Sequence, residues 1–81
     1  MDHSLAYGDF WMAIYIDDRK WIYKVRQGLA PGIWKAYFHK PGRTMRIGWK
    51  CLKELPWRDS FADAQRDLDD LAKIRGWKQR T

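Results

Sequence analysis

A single cysteine, three prolines and the absence of any long apolar run set the first limits on this chain of 81 residues. Cys51 has no second cysteine to pair with, so no intramolecular disulfide can staple the fold, and the usage suits a reducing, cytoplasmic setting. No segment nears the ~20 apolar residues that cross a bilayer, and the start lacks the basic-then-apolar order of a signal peptide. A soluble cytoplasmic protein without a membrane partner is expected. Soft metal ligands are limited to His3, His39 and Cys51, at spacings that match no zinc pattern. Gly28 and Gly32 lack the following Lys-Ser/Thr and helix of a phosphate loop. A Cys51–His39 pair could be drawn as a nucleophile and its base, but a lone Cys beside Leu52 reads as a small apolar residue. Asp63, Asp67 and Asp70 share one helix face with Arg66 and Lys73 close by, which describes a solvated surface. These gaps predict a protein that is not an enzyme and carries no cofactor and no metal.

What the chain has is aromatic rings and positive charge. Residues 1–81 make one domain, and a domain this short buries only a little over ~60% of its unfolded surface. The six Trp, four Tyr and three Phe answer that need, since each ring can bury roughly 150–250 Å². The net charge of +6 is uneven: residues 1–58 hold eleven Lys/Arg against five Asp/Glu, whereas residues 59–81 hold five of each. All the excess charge therefore falls on the part that reads as sheet. Basic domains of this kind associate with nucleic acid or acidic surfaces.

Hydrophobic spacing predicts an α+β fold: an antiparallel sheet of about four strands packed on one C-terminal helix. Residues 9–17 are apolar on both parities, as a central strand requires. Residues 20–26 alternate cleanly after the polar Asp17–Lys20 turn. Gln27 to Gly32 is a loop, and a third strand covers 33–39. Pro41-Gly42 favours a type II turn into a fourth strand over 44–50. Residues 51–58 fit no single element, with Pro56 biasing Leu55 away from helix. A helix spans about 60–75. Asp59 or Ser60 caps it, Phe61, Ala64, Leu68, Leu71 and Ala72 form its apolar stripe, and Gly76 is placed to end it. Residues 79–81 are expected to fray.

Sorting the strands by parity separates two faces. Phe10, Met12, Ile14, Ile16, Trp21, Tyr23, Val25, Trp34, Ala36, Phe38, Met45, Ile47 and Trp49 form the face that packs on the helix. The opposite face collects Trp11, Ala13, Tyr15, Lys24, Arg26, Lys35, Tyr37, His39, Arg46 and Lys50, with no carboxylate. Lys and Arg there can reach phosphates while the rings stack on bases. A solvated sheet face carrying ordinary Lys and Arg is the plainer account of the same residues.

The run Gly32-Ile33-Trp34-Lys35-Ala36-Tyr37-Phe38, then Gly42, Gly48 and the helix opening Phe61-Ala62-Asp63-Ala64, resembles the AP2 and integrase-arm class of small DNA-binding domains over about residues 32–75. That class lays a three-stranded sheet in the major groove and backs it with a helix. The resemblance implies DNA-facing roles for Lys35 and Arg46. The chain departs from the class in placing Trp49 to Ser60 between its last strand and its helix, and in having an extra strand first.

Two functional expectations follow. One is nucleic-acid binding, to DNA or RNA, with Lys24, Arg26, Lys35, Arg46 and Lys50 on phosphates and Trp11, Tyr15 and Tyr37 stacking. The other is a protein-interaction module, such as a phage or mobile-element accessory protein, acting through exposed rings or a free sheet edge.

Overall fold

The two segments that alternate most cleanly form the centre of the molecule. In the computed structural model, which describes residues 13–42 and 48–80, β1 (Ile14–Ile16), β2 (Ile22–Gln27), β3 (Trp34–His39), β4 (Lys50–Cys51) and β5 (Lys78–Arg80) make one sheet, and α1 spans Phe61–Arg75. β2 and β3 pair antiparallel from Ile22 opposite His39 to Gln27 opposite Trp34. β1 and β4 flank that pair, and β5 returns to add antiparallel to β1, giving the order β4-β3-β2-β1-β5. This is the expected α+β architecture with a C-terminal helix, but with five strands instead of about four. No helix among the described residues is long and apolar enough to cross a membrane. Trp11 and Arg46, with most of the expected 44–50 strand, lie outside the described residues.

Local chemistry fixes the ends of α1. Ser60 has extended backbone angles, and its Oγ accepts the Asp63 N–H at 3.1 Å. At the other end Gly76 takes the left-handed conformation (φ 74°) and both its N–H and that of Trp77 close onto the Ala72 carbonyl. Glycine adopts that conformation without a Cβ penalty. The cap turns the chain so that Trp77 stacks on Tyr23, with centroids 3.7 Å apart. The chain then enters β5, which pairs Gln79 and Arg80 with β1 where fraying over 79–81 is expected. Lys78, Gln79 and Arg80 are all exposed, so backbone pairing with β1 holds them in place.

Between sheet and helix, Tyr23, Val25, Ala36, Leu52, Ala64 and Leu68 form the core, with Trp34, Phe38, Phe61, Leu71 and Trp77 packed around it. Trp34 meets Phe61 edge-on at 5.3 Å, and Trp21 stacks on Phe38 at 5.6 Å. Arg58 holds the approach to α1 with a two-point bond to Asp67, at 2.7 and 3.0 Å.

The hairpin between β1 and β2 is organised by one carboxylate. Asp17 and Trp21 close the ladder, the Lys20 N–H returns to the Asp17 carbonyl, and Lys20 itself has φ 72°. That is a type I turn followed by one left-handed residue. The Asp17 side chain accepts the Arg19 and Trp21 amides, both Arg19 guanidinium donors and the Tyr23 hydroxyl at 2.7 Å.

Two parity assignments are corrected. Tyr15 sits opposite Tyr23, and Ile16 opposite Ile22, so Tyr15 lies on the helix side, where its hydroxyl donates to Asp69 at 2.6 Å. Ile14 and Ile16 take the open side. A strand apolar on both parities carries no internal signal for which half faces the core, and a one-residue shift exchanges the faces. In β4, Lys50 pairs with Phe38 and Cys51 with Tyr37. Lys50 therefore belongs to the helix side, as an exposed residue, and Trp49 to the open side, the reverse of the expected order.

Candidate nucleic-acid interface

The open face can be rebuilt row by row from the register. Lys24 stands opposite Tyr37 and Arg26 opposite Lys35 across β2 and β3. Cys51 extends the Tyr37 row into β4. On the other flank, Ile14 pairs with Arg80 and Ile16 with Lys78, so β5 contributes two further cations. An apolar strip of Ile14, Ile16 and Ile22 then runs between Lys78 and Arg80 on one side and Lys24 and Arg26 on the other. Among the described residues of this face there is no carboxylate.

Of the expected site residues, Lys24, Arg26, Lys35 and Tyr37 come together here, Tyr15 and Lys50 do not, and Trp11 and Arg46 are not described. The structure brings in four residues that sequence reasoning missed. Lys78 and Arg80 carry no hydrophobic alternation, so nothing marked them as strand. Trp49 shares the parity of Met45 and Ile47 in the expected 44–50 strand, which sorts it with the core residues. Trp57 sits in a segment with no clear periodicity.

The placement of Trp57 follows from a bulge in the chain. Leu52 tucks into the core, donating its N–H to the Ala36 carbonyl, and Leu55 closes a turn onto Leu52. The chain rejoins the edge of β3 at Arg58, which exchanges two backbone bonds with Trp34. Between the Tyr37–Cys51 and Trp34–Arg58 pairs β3 advances by three residues and the returning chain by seven. The surplus carries Trp57 over the edge onto the open face. Gly28 makes room for it, because a Cβ there would stand 2.6 Å from the Trp57 ring.

Rings and cations interleave at close range. The Lys24 ammonium lies 4.7 Å from the Trp49 ring centre, and the Arg26 guanidinium 5.5 Å from Tyr37 and 5.7 Å from Trp49. The Lys35 ammonium lies 4.9 Å from Trp57, whose ring meets Tyr37 edge-on at 6.4 Å. His39 stands 5.2 Å from Trp49. Trp57 and its neighbours leave Lys35 only 7% exposed, while Arg26 stays open to solvent. Burial pushes the Tyr37 hydroxyl above its usual range, helped by its hydrogen bond with the Cys51 thiol and opposed by Arg26. Tyr37 therefore presents a neutral ring at physiological pH.

Such contacts stabilise a cation by about 0.5–1 kcal/mol at exposed sites, and they do not neutralise it. Like charges placed directly across an antiparallel ladder repel, and the Arg26–Lys35 pair has no carboxylate beside it among the described residues of the face. The arrangement is chemically suited to a polyanion that also offers flat apolar surfaces. For metals, no cluster of three or more His, Cys, Asp or Glu side chains with the geometry to hold an ion occurs among the described residues.

Comparison of the chain with protein-family models, with curated proteins and with solved structures returns no match.

Proposed function

We propose that this chain is a binding module that takes nucleic acid on the open face of its sheet. The observation that carries the reading is the Arg26–Lys35 pair, two cations opposed across β2 and β3, on a carboxylate-free face with Tyr37, Trp49 and Trp57 between the charges. A phosphate chain would relieve the repulsion, and the rings would accept base or sugar surfaces. Lys24 and Arg26 are the residues assigned to phosphate, with Lys78 and Arg80 extending the track beyond β1. Lys35 is assigned to the ring cluster.

Fluorescence anisotropy of labelled oligonucleotides tests this. Affinity is expected to fall steeply between about 0.05 and 0.2 M salt, with a logarithmic slope of roughly 0.7–0.9 per phosphate neutralised. Lys24→Ala is expected to lower that slope by close to one contact. No binding at the lower salt concentration would sink the reading.

A protein partner is the second reading. It is favoured by Leu29, which is fully exposed beside the half-exposed Trp57. A module of that kind would leave the labelled oligonucleotides unbound, so the same titration separates the two.

A further inference from the structure

We infer that the ligand is an unpaired nucleic-acid strand, one base of which lodges in the notch walled by Leu29, Ala30, Ile33 and Trp57; this rests on the nucleic-acid reading above. The first argument is size. Five strands at ~4.8 Å spacing span roughly 19 Å between the outer strand axes, and the six residues of β2 or β3 run ~20 Å at ~3.3 Å each. The major groove of a duplex is about 12 Å wide and admits a helix or a two-stranded ribbon. Presented flat with all five strands across it, this face is broader than the groove, whereas a single strand can lie across it.

The second argument is the ring at the edge. Trp57 is 48% exposed, and its indole is held edge-on to Tyr37 over Gly28. A duplex keeps its base faces stacked inside and offers nothing to such a ring except at its ends. An unpaired strand offers a base face at every nucleotide. Beside the indole the notch has a volume of about 300 Å³, and all four side chains that wall it are apolar. The Lys35 ammonium stands 4.9 Å from the same ring, and Arg26 faces Lys35 across the ladder. Of that pair Arg26 is the exposed member, and it is the cation left to take the backbone phosphate of a base in the notch. Charge complementarity and an apolar base seat meet at one corner of the sheet.

The test is anisotropy with single-stranded DNA, single-stranded RNA and duplex DNA of matched length, using wild type, Trp57→Ala and Trp57→Phe. Wild type is expected to bind at least one single strand about tenfold or more tightly than duplex. Trp57→Ala is expected to weaken single-strand binding roughly ten- to a hundredfold, the range of one lost base stack, and to leave duplex binding unchanged. Trp57→Phe, which keeps a ring, is expected to restore most of the loss. Gly28→Ala, whose Cβ would displace the same indole, serves as an independent variant if Trp57→Ala unfolds. Tighter binding of RNA than of DNA would identify the 2′-hydroxyl as part of the recognised chemistry. Duplex binding equal to or tighter than single-strand binding overturns the inference and leaves the nucleic-acid reading standing, as does single-strand affinity indifferent to Trp57. Binding of neither overturns both.

Discussion

Glutamate at both position 24 and position 26 is expected to weaken nucleic-acid binding by on the order of a hundredfold at about 0.15 M salt, with thermal stability nearly unchanged. Each phosphate neutralised contributes roughly four- to fivefold at that salt through counterion release, so losing two contacts alone gives ~15- to 30-fold. The two new carboxylates add direct repulsion. Stability is spared because opposing effects cancel. Lys24→Glu and Arg26→Glu forfeit the ring contacts with Trp49 and Tyr37, each worth ~0.5–1 kcal/mol. Arg26→Glu also turns a like-charge pair with Lys35 into an opposite-charge pair, a change worth roughly 0.2–1 kcal/mol on each side of neutral. The Tm of the double variant should stay within about 5 °C of wild type. A variant that binds as wild type would remove Lys24 and Arg26 from the interface. One that unfolds would mean they serve the fold.

The second large effect lies in the β1–β2 turn, away from the binding face. Asp17→Ala is expected to destabilise the protein by about 2–3 kcal/mol, the cost of removing a charged acceptor from a buried hydroxyl and several donors. The Asp17 side chain is only 7% exposed, and its principal partner, Tyr23, is among the most buried residues of the core. Burial, with Asp17 next in importance, pushes the Tyr23 hydroxyl up to about 12. Without Asp17 that hydroxyl keeps Arg19 as a donor at 3.3 Å but has no acceptor for its own proton. In a domain of this size, where total stability is ~5–10 kcal/mol, the loss is a large fraction, with a fall in Tm of roughly 10–20 °C. Tyr23→Phe should cost only about 1 kcal/mol, since Asp17 keeps Arg19 and two amides.

The acid response of the same group has a definite sign. Burial alone would raise the Asp17 carboxyl, but hydrogen bonds from Tyr23, Arg19 and the Trp21 and Arg19 amides outweigh it and hold the group below its ordinary value. The stabilisation is therefore complete above the unfolded value near ~3.9 and is lost as pH falls through the lower folded value. Urea melts of wild type should weaken below about pH 4, and Asp17→Ala should lack that part of the decline. Equal acid sensitivity in the two proteins would assign the decline to other carboxylates.

How much could be read from the chain depends on whether a residue's environment is set locally or by a distant partner. Ser60, the Phe61–Leu71 stripe and Gly76 are local signals for a helix, and α1 carries all three. In β2 and β3 every Lys and Arg falls on one parity, with Tyr23 and Val25 and Trp34, Ala36 and Phe38 on the other, so their faces follow from the pattern. β1 is apolar at every position, and only its pairing with Tyr23 and Ile22 decides which half is buried. Lys78, Gln79 and Arg80 show no strand pattern because their place at the sheet edge rests on backbone bonds with β1, and edge strands commonly carry charge. Trp57 reaches the open face through a bulge whose length is set by the Trp34–Arg58 bridge, a long-range event no window of sequence contains. The basic face was thus legible at its centre, in Lys24, Arg26, Lys35 and Tyr37, and illegible at both margins.

The central claim is that nucleic acid occupies the open face of the sheet, and an amide and indole chemical-shift map during titration with a short oligonucleotide tests it most directly. The account predicts the largest changes at Lys24, Arg26, Tyr37, Lys78 and Arg80 and at the indole N–H groups of Trp49 and Trp57, with the exposed helix residues Ala62, Arg66 and Lys73 unmoved. Shifts concentrated on α1, or spread evenly over every exposed cation, would contradict it.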